Sequence, residues 1–439
     1  MFSDNLGLHI TGSAASAAAF DGAIADYWGL TGDPVGRLVR ALDADPAFGL
    51  GATAIADLFL MGGFRGDSFE VQTALSAARK AVGGATEREQ KHLAAAEAWA
   101  AGRLYAAAYL WEDILNDAPR DALALRLAQD AYFFLGESLA IRDSLARALP
   151  AWDQQHPLYS FVLGARAFGL EEAGDLLPAE VYARKALALN PRDAWATHAL
   201  AHVLETTLRF EDGVAFLKAT HDDWRGAHFM AGHNGWHLAL YLIEFGCYDE
   251  VLAYFDQFVP ARLALDGALD RVDAASLLWR LELAGVDVGD RWRLVADAWR
   301  KHIDDHVLAF NDLHLACAAA RSPVRDDSGR LRQSLRRYVA EAKGDNRDTT
   351  ADVGLPVVEG MFAFGDGDYR RALGALLPVV RRVHRIGGSH AQRDLVAMTT
   401  VAAAQRAGDK SVARALLAER VALRPTPRVR EAYERVRRA

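Results

Sequence analysis

The densest group of chemistry-bearing residues lies in the segment DAWATHALAHVLE, where His198, His202 and Glu205 stand at i, i+4 and i+7. At about 100° per residue those positions share one narrow helical stripe. The segment AGHNGWHLALYLIE repeats the arrangement with His233, His237 and Glu244. Imidazole pairs at i, i+4 on facing helices are a way to hold zinc, iron or manganese, with a carboxylate completing the shell. Such an ion would activate a water for hydrolysis, with Glu205 or Glu244 as ligand or base. The spacing departs from HExxH, because Ala199 occupies the place of the glutamate. The same residues also suit a metal-free polar groove, in which His198, His202, His233, His237, Asn234, Trp195 and Trp236 hydrogen-bond and stack on a peptide or small polar molecule. A buried polar network satisfied by the backbone is the third reading.

Two further clusters carry polar groups that would close the same cavity. In HVLAFNDLHLA, His306, Asn311, Asp312 and His314 fall within three turns of a helix, and Asp312 is a third candidate for a catalytic carboxylate. In GGSHAQRDLV, Gly387 and Gly388 break a helix, Ser389 caps the next, and His390, Arg393 and Asp394 occupy its first turns. Arg393 suits bidentate carboxylate contacts, and Asp394 near a helix N-terminus also suits the helix dipole.

The elements that must position these residues follow a repeat. Gly102, Gly174 and Gly408 are each followed at +5 by alanine (Ala107, Ala179, Ala413) and at +17 by proline (Pro119, Pro191, Pro425). Glycine admits the left-handed turn between two helices, alanine lets the second helix approach the first, and proline stops it. Weaker copies place Gly246 and Gly367 in the turn, with Ala372 after the latter, and Leu208 in the turn slot with Gly213 in the small-residue slot. Spacings of 34, 38 and 41 residues between turn slots indicate helix–turn–helix units with variable loops.

The 34-residue spacing, with Gly174, Ala179, Ala186 and Pro191, resembles the tetratricopeptide repeat. The segments GLHITGSAASAAAFDGAIADYWGL, ATHALAHVLE, HNGWHLALYLIEFGCYDE, FNDLHL and GGSHAQRD make the chain as a whole similar to the tetratricopeptide repeat protein 38 family. That resemblance implies an all-α, tetratricopeptide-like helical-repeat solenoid, a right-handed superhelix of antiparallel helix pairs. It also implies that the imidazole stripes face the concave groove. It carries no settled reaction.

The chain parses into an N-terminal helical segment (1–65), repeats bearing the His-rich inner helices (66–260), an irregular helical region (261–345) and C-terminal repeats (346–439). The first segment reads as three helices, with Thr11 or Ser13 as N-cap and Gly29 as a stop. The runs SPVRDDSGR and KGDNRDTTADVG read as loops. Trp99, Trp111, Trp279, Trp292 and Trp299 fall in helical segments and read as packing residues.

Composition bounds the function classes. Of 439 residues 51% are apolar and 25% charged, which is globular, and a net charge of -8 argues against nucleic acid or anionic membrane as partner. Two cysteines, Cys247 and Cys317, are too few to staple such a chain. MFSDNLGLHITGSAASAAAF lacks a charged region followed by an apolar core, so a cytoplasmic protein is expected. There is no GxxxxGK[ST], strand-borne GxGxxG, GxSxG or CxxC motif. The functional expectation is a small polar molecule or peptide held in a concave His/Asp/Glu-lined pocket. A metal-dependent hydrolase or lyase is the first alternative, and a protein-interaction scaffold the second. Oligomeric state is not legible.

Overall fold

The turn geometry that the repeat demands is present at each glycine named above. In the computed structural model, which describes residues 2–324 and 326–438, φ is +78° at Gly102, +87° at Gly174, +74° at Gly246, +78° at Gly367 and +75° at Gly408. Each turn closes the same way. The residue after the glycine returns its N–H to a carbonyl five back, as Arg103 does to Ala98 (2.8 Å), Asp175 to Leu170 (2.8 Å) and Asp409 to Ala404 (3.0 Å). The alanines five residues on are buried at helix–helix contacts. The prolines stand two residues beyond the helices Leu104–Asp117, Leu176–Leu189 and Lys410–Leu423.

Repetition of this unit yields an all-α helical-repeat fold of neighbouring helix pairs. Among the described residues there are 25 α-helices and one short antiparallel hairpin, Phe2–Ser3 with His9–Ile10, in the register Phe2 to Ile10 and Ser3 to His9. No described helix is long and apolar enough to cross a membrane. The chain forms two compact units. The first comprises residues 1–200, 222–230 and 343–345; the second comprises 201–221, 231–342 and 346–439.

In the first unit Trp28 and Trp111 are fully buried. Trp28 Nε1 donates to the Ala122 carbonyl (3.0 Å), and Trp99 meets Trp111 edge to face at 5.8 Å. The three N-terminal helices are Ala14–Gly29, Pro34–Ala44 and Gly49–Met61. Ser13 is the N-cap of the first, accepting from the Ser16 N–H, whereas Thr11 bonds Glu89 instead. Leu30, not Gly29, takes the left-handed conformation that ends this helix.

In the second unit Trp236, Trp279 and Phe362 fill the core, and Trp279 Nε1 donates to Thr399 Oγ1 (3.0 Å). Trp292 and Trp299 are buried there as well, as packing residues should be. The run KGDNRDTTADVG is not a loop beyond Gly344. It forms the helix Asp345–Thr349 and a π-turn, Thr350–Gly354, leading into Leu355–Gly365. Asn346 explains this order: its Oδ1 accepts from the Ala309 N–H (2.8 Å) and its Nδ2 donates to the His306 carbonyl (2.8 Å). Of SPVRDDSGR, Asp327 onward is helical (Asp327–Glu341), and Arg325 lies outside the described residues.

One repeat carries no obvious signature. Gly136, with φ +72°, turns between Ala122–Leu135 and Ser138–Ala148, yet its +5 position is Ile141. The space is supplied from the other side. Ile141 packs on Gly169, where an added Cβ would stand 3.0 Å from its Cγ2. Leu208 is the converse case, a leucine held at φ +61° in the turn slot. Left-handed backbone costs a branched residue about 1–2 kcal/mol, and glycine forfeits part of that through unfolded-state entropy. Leu208→Gly should therefore stabilise the second unit by about 0.5–1 kcal/mol in urea denaturation, whereas Ala179→Leu should destabilise the first by about 1–3 kcal/mol through overpacking.

Candidate metal centre

Two helices supply the centre: Ala194–Thr206, with His198 and His202, and His228–Glu244, with His233 and His237. The turn between Thr206 and Phe210 brings in Phe210–Ala219, and the small side of Gly213 lets this helix pack on the Tyr241 ring, where an added Cβ would stand 2.6 Å away. Tyr241 in turn donates its hydroxyl to the Ala201 carbonyl (2.5 Å), which ties the two imidazole helices together in the second unit.

His202, His233 and His237 are buried there, and each offers a ring nitrogen within 4.8 Å of the others'. The His237 ring centroid lies 4.5 Å from that of His202 and 5.0 Å from that of His233. Buried imidazoles at this spacing are close enough to share a metal ion. Two of the three are held by carboxylates. His237 Nδ1 donates to Glu205 Oε2 (3.1 Å), and His233 Nδ1 donates to Asp273 (2.9 Å). A carboxylate accepting from Nδ1 fixes the proton there, so the Nε2 lone pair is the one available to a ligand. Trp236 stacks flat on His233 at 5.2 Å and limits its rotation.

The charges around this group favour an ionised Glu205 behind a neutral His237. Burial opposes ionisation of Glu205, but the Arg424 guanidinium (2.8 Å) and then His237 outweigh it and hold the carboxyl well below its ordinary range. Burial, reinforced by the His202 and His233 rings, holds His237 well below the usual histidine range against the pull of Glu205. Asp273 is pushed up by burial and pulled back by His233.

The other residues singled out in the sequence divide clearly. His390 joins the group, with its ring 5.3 Å from that of His202 and its Nε2 3.0 Å from Thr206 Oγ1. Asn234 is buried on the same helix as His233. His198 is buried one turn before His202, and its ring packs on Phe168 and Trp195. Glu244 lies half-buried near the C-terminal end of its helix, in the field of Arg420 and Arg424. Asp394 is clamped by Arg420 through both oxygens (2.5 and 3.0 Å), and Arg393 turns back onto the Gly388 carbonyl. Asp312 belongs to a separate network in which His306 Nδ1 donates to it (3.0 Å) while His306 Nε2 meets Ser334 (2.8 Å). His306 itself precedes the helix Ala309–Ala320, at φ +47°. His314 Nδ1 donates to the Phe310 carbonyl (2.9 Å). Gly387 and Gly388 are left-handed, and Ser389 forms a capping box with Gln392.

Sequence reasoning did not find Asp273 or Arg424. Asp273 had at most a weak signal, as one of five charged residues in the helix Ala268–Leu283. Arg424 had none, since it sits beside a proline that reads only as a helix stop.

Proton linkage at these rings gives a test. His314, buried and bonded only through Nδ1, is held at about 4 by burial. In the unfolded chain a histidine titrates near 6.5, so between about 6.5 and 4 the unfolded state binds more protons and stability falls with falling pH. His314→Asn keeps a donor for Phe310 but cannot titrate. The gap in thermal midpoint between this variant and the wild type should shift in the variant's favour as pH drops from 6.5 to 4; a constant gap would contradict the assignment. A comparison with models of known protein families finds none that matches the chain.

Proposed function

We propose that this is a metal-binding helical-repeat protein in which His202, His233 and His237 hold one first-row divalent cation through Nε2. The observation that carries this reading is the pair of buried carboxylates, Glu205 and Asp273, on the Nδ1 atoms of two of the three rings. Histidine ligands are commonly backed in this manner, which sets the tautomer and raises ligand basicity. A donor set made of imidazoles favours zinc or iron over manganese.

A three-imidazole site keeps a position for water or a small polar substrate, and the ion would act as Lewis acid in a hydrolase or lyase reaction. Glu205 is a positioning residue in this scheme, because its two oxygens are engaged by Arg424 and His237. Neither Glu244 nor Asp312 is placed as its base. Membership of the tetratricopeptide repeat protein 38 family is part of the proposal. The all-α fold supports it, as does the fact that two of the resembling segments furnish His198, His202, His233 and His237. A reducing, cytoplasmic setting is supported by Cys247 and Cys317, neither of which forms a disulfide.

Elemental analysis after metal supplementation and gel filtration should find about one zinc or iron per chain, absent in His202→Ala and His237→Ala. Glu205→Gln should weaken binding about 10- to 100-fold without removing a ligand. Wild-type protein that retains no stoichiometric ion would leave the metal-free polar pocket as the reading.

A further inference from the structure

Counted from the turn glycines Gly102, Gly136 and Gly174, the third position holds Tyr105, Leu139 and Leu177. The seventh holds Tyr109 in the first of these repeats and Val181 in the third. All five are exposed, from 36% at Tyr105 to 81% at Leu177. The later turn slots, Leu208, Gly246, Gly367 and Gly408, are followed at the third position by Glu211, Asp249, Arg370 and Ser411. The apolar choice therefore belongs to three consecutive repeats of the first unit, and the repeat geometry alone does not require it.

The helices that carry these residues are Leu104–Asp117, Ser138–Ala148 and Leu176–Leu189, and they lie side by side. The Tyr105 hydroxyl donates to Glu137 (2.8 Å) and Arg147 meets Glu112 (2.6 Å), so the first two run parallel. Arg142 meets Asp175 (3.2 Å) and ties on the third. The five side chains thus form one ridge, and a contiguous exposed apolar patch marks an interaction site where single exposed residues do not.

The charges beside the ridge identify what covers it. At the first helix, Glu87, Asp113 and Asp117 all draw on the Lys91 ammonium (3.5, 2.8 and 3.4 Å), which leaves that edge negative. At the third, Arg184 is matched by Glu180 (2.7 Å). Lys185 lies over the Tyr159 ring at 5.7 Å, without a carboxylate partner among the described residues, so that edge is positive. Asp113 and Lys185 occupy the same position, eleven residues after their turns. Arg147 holds that position on the middle helix, and Glu112 already neutralises it.

We infer that this ridge binds a second copy of the chain, about a two-fold axis running along the helix Ser138–Ala148. That rotation keeps the helices parallel and lays the first helix of each copy over the third helix of the other. Positions then match at equal height: Tyr105 against Leu177, Tyr109 against Val181, Leu139 against itself and Asp113 against Lys185. A two-fold axis across the helices would instead stack one acidic edge on the other. The contact covers the apolar ridge and pairs a negative rim with a positive one twice over.

The test uses the full-length protein in sedimentation equilibrium and light scattering over a concentration series. The wild type should form a dimer, because an isologous contact closes on itself. Leu177→Lys should raise the dimer dissociation constant at least about tenfold, since the substitution enters the contact twice. Its thermal midpoint as a monomer should not move, because the side chain is exposed. Asp113→Lys and Lys185→Asp should each weaken self-association about tenfold through like charges. A one-to-one mixture of those two variants should dimerise as the wild type does, because each copy then meets opposite charge at both rims. A monomer at every concentration would leave the ridge to a partner of another sequence and overturn the proposal. So would a dimer indifferent to Leu177→Lys, or charge variants that fail to rescue one another.

Discussion

The hydrogen bonds from His237 to Glu205 and from His233 to Asp273 decide what the second unit can do. An imidazole has two chemically different nitrogens, and a buried ring without a fixed tautomer is a packing residue with an orientation problem. Once a carboxylate holds Nδ1–H, the ring turns a defined lone pair toward its neighbours. Three rings that each offer a nitrogen within 4.8 Å of the others' then become a donor set, where three freely rotating rings would be only an aromatic cluster.

Holding those carboxylates has its own requirement. A buried carboxylate is tolerated only where something compensates its lost hydration. Glu205 meets that condition through Arg424, just beyond the helix Lys410–Leu423, and the same helix sends Arg420 to Asp394. Thus the last repeat with the Gly–Ala–Pro signature serves to hold charge near the imidazole helices as well as to extend the array. Arg280 shows the same logic with neutral partners. It lies buried over Trp236, the ring that stacks on His233, and donates hydrogen bonds to Ser276, Met398 and the Ala391 carbonyl.

The fold was legible because its information is local. A glycine at the turn, an alanine five residues later and a proline at the stop each act through backbone geometry within one helix pair. Positions where one partner compensates another across the contact were not legible. Ile141 fills a slot that reads as small, and only the facing Gly169 makes room for it; Gly136 therefore hid a repeat in plain sequence. The site divides in the same way. Stripe periodicity identified His202, His233 and His237, since i, i+4 spacing is a property of one helix. Asp273 and Arg424 escaped because their relation to the rings is set by tertiary packing, over separations with no periodic signal. The network of His306 and Asp312 was misplaced for a related reason: a histidine before a helix and an aspartate inside it look contiguous in sequence.

The imidazole row shows why this architecture holds chemistry well. His233 and His237 project from the helix His228–Glu244, and the helix Phe210–Ala219 packs against it through Gly213 on Tyr241. Close packing there fixes the helix rotation, and rotation is the variable that decides whether a polar row meets its partners. A helix turned by one residue would swing about 100° and bury the row against carbon. Leucine at the turn slot Leu208 is consistent with this: the repeat tolerates a strained turn there while keeping Gly213 against Tyr241, the contact that holds the imidazole helices in register.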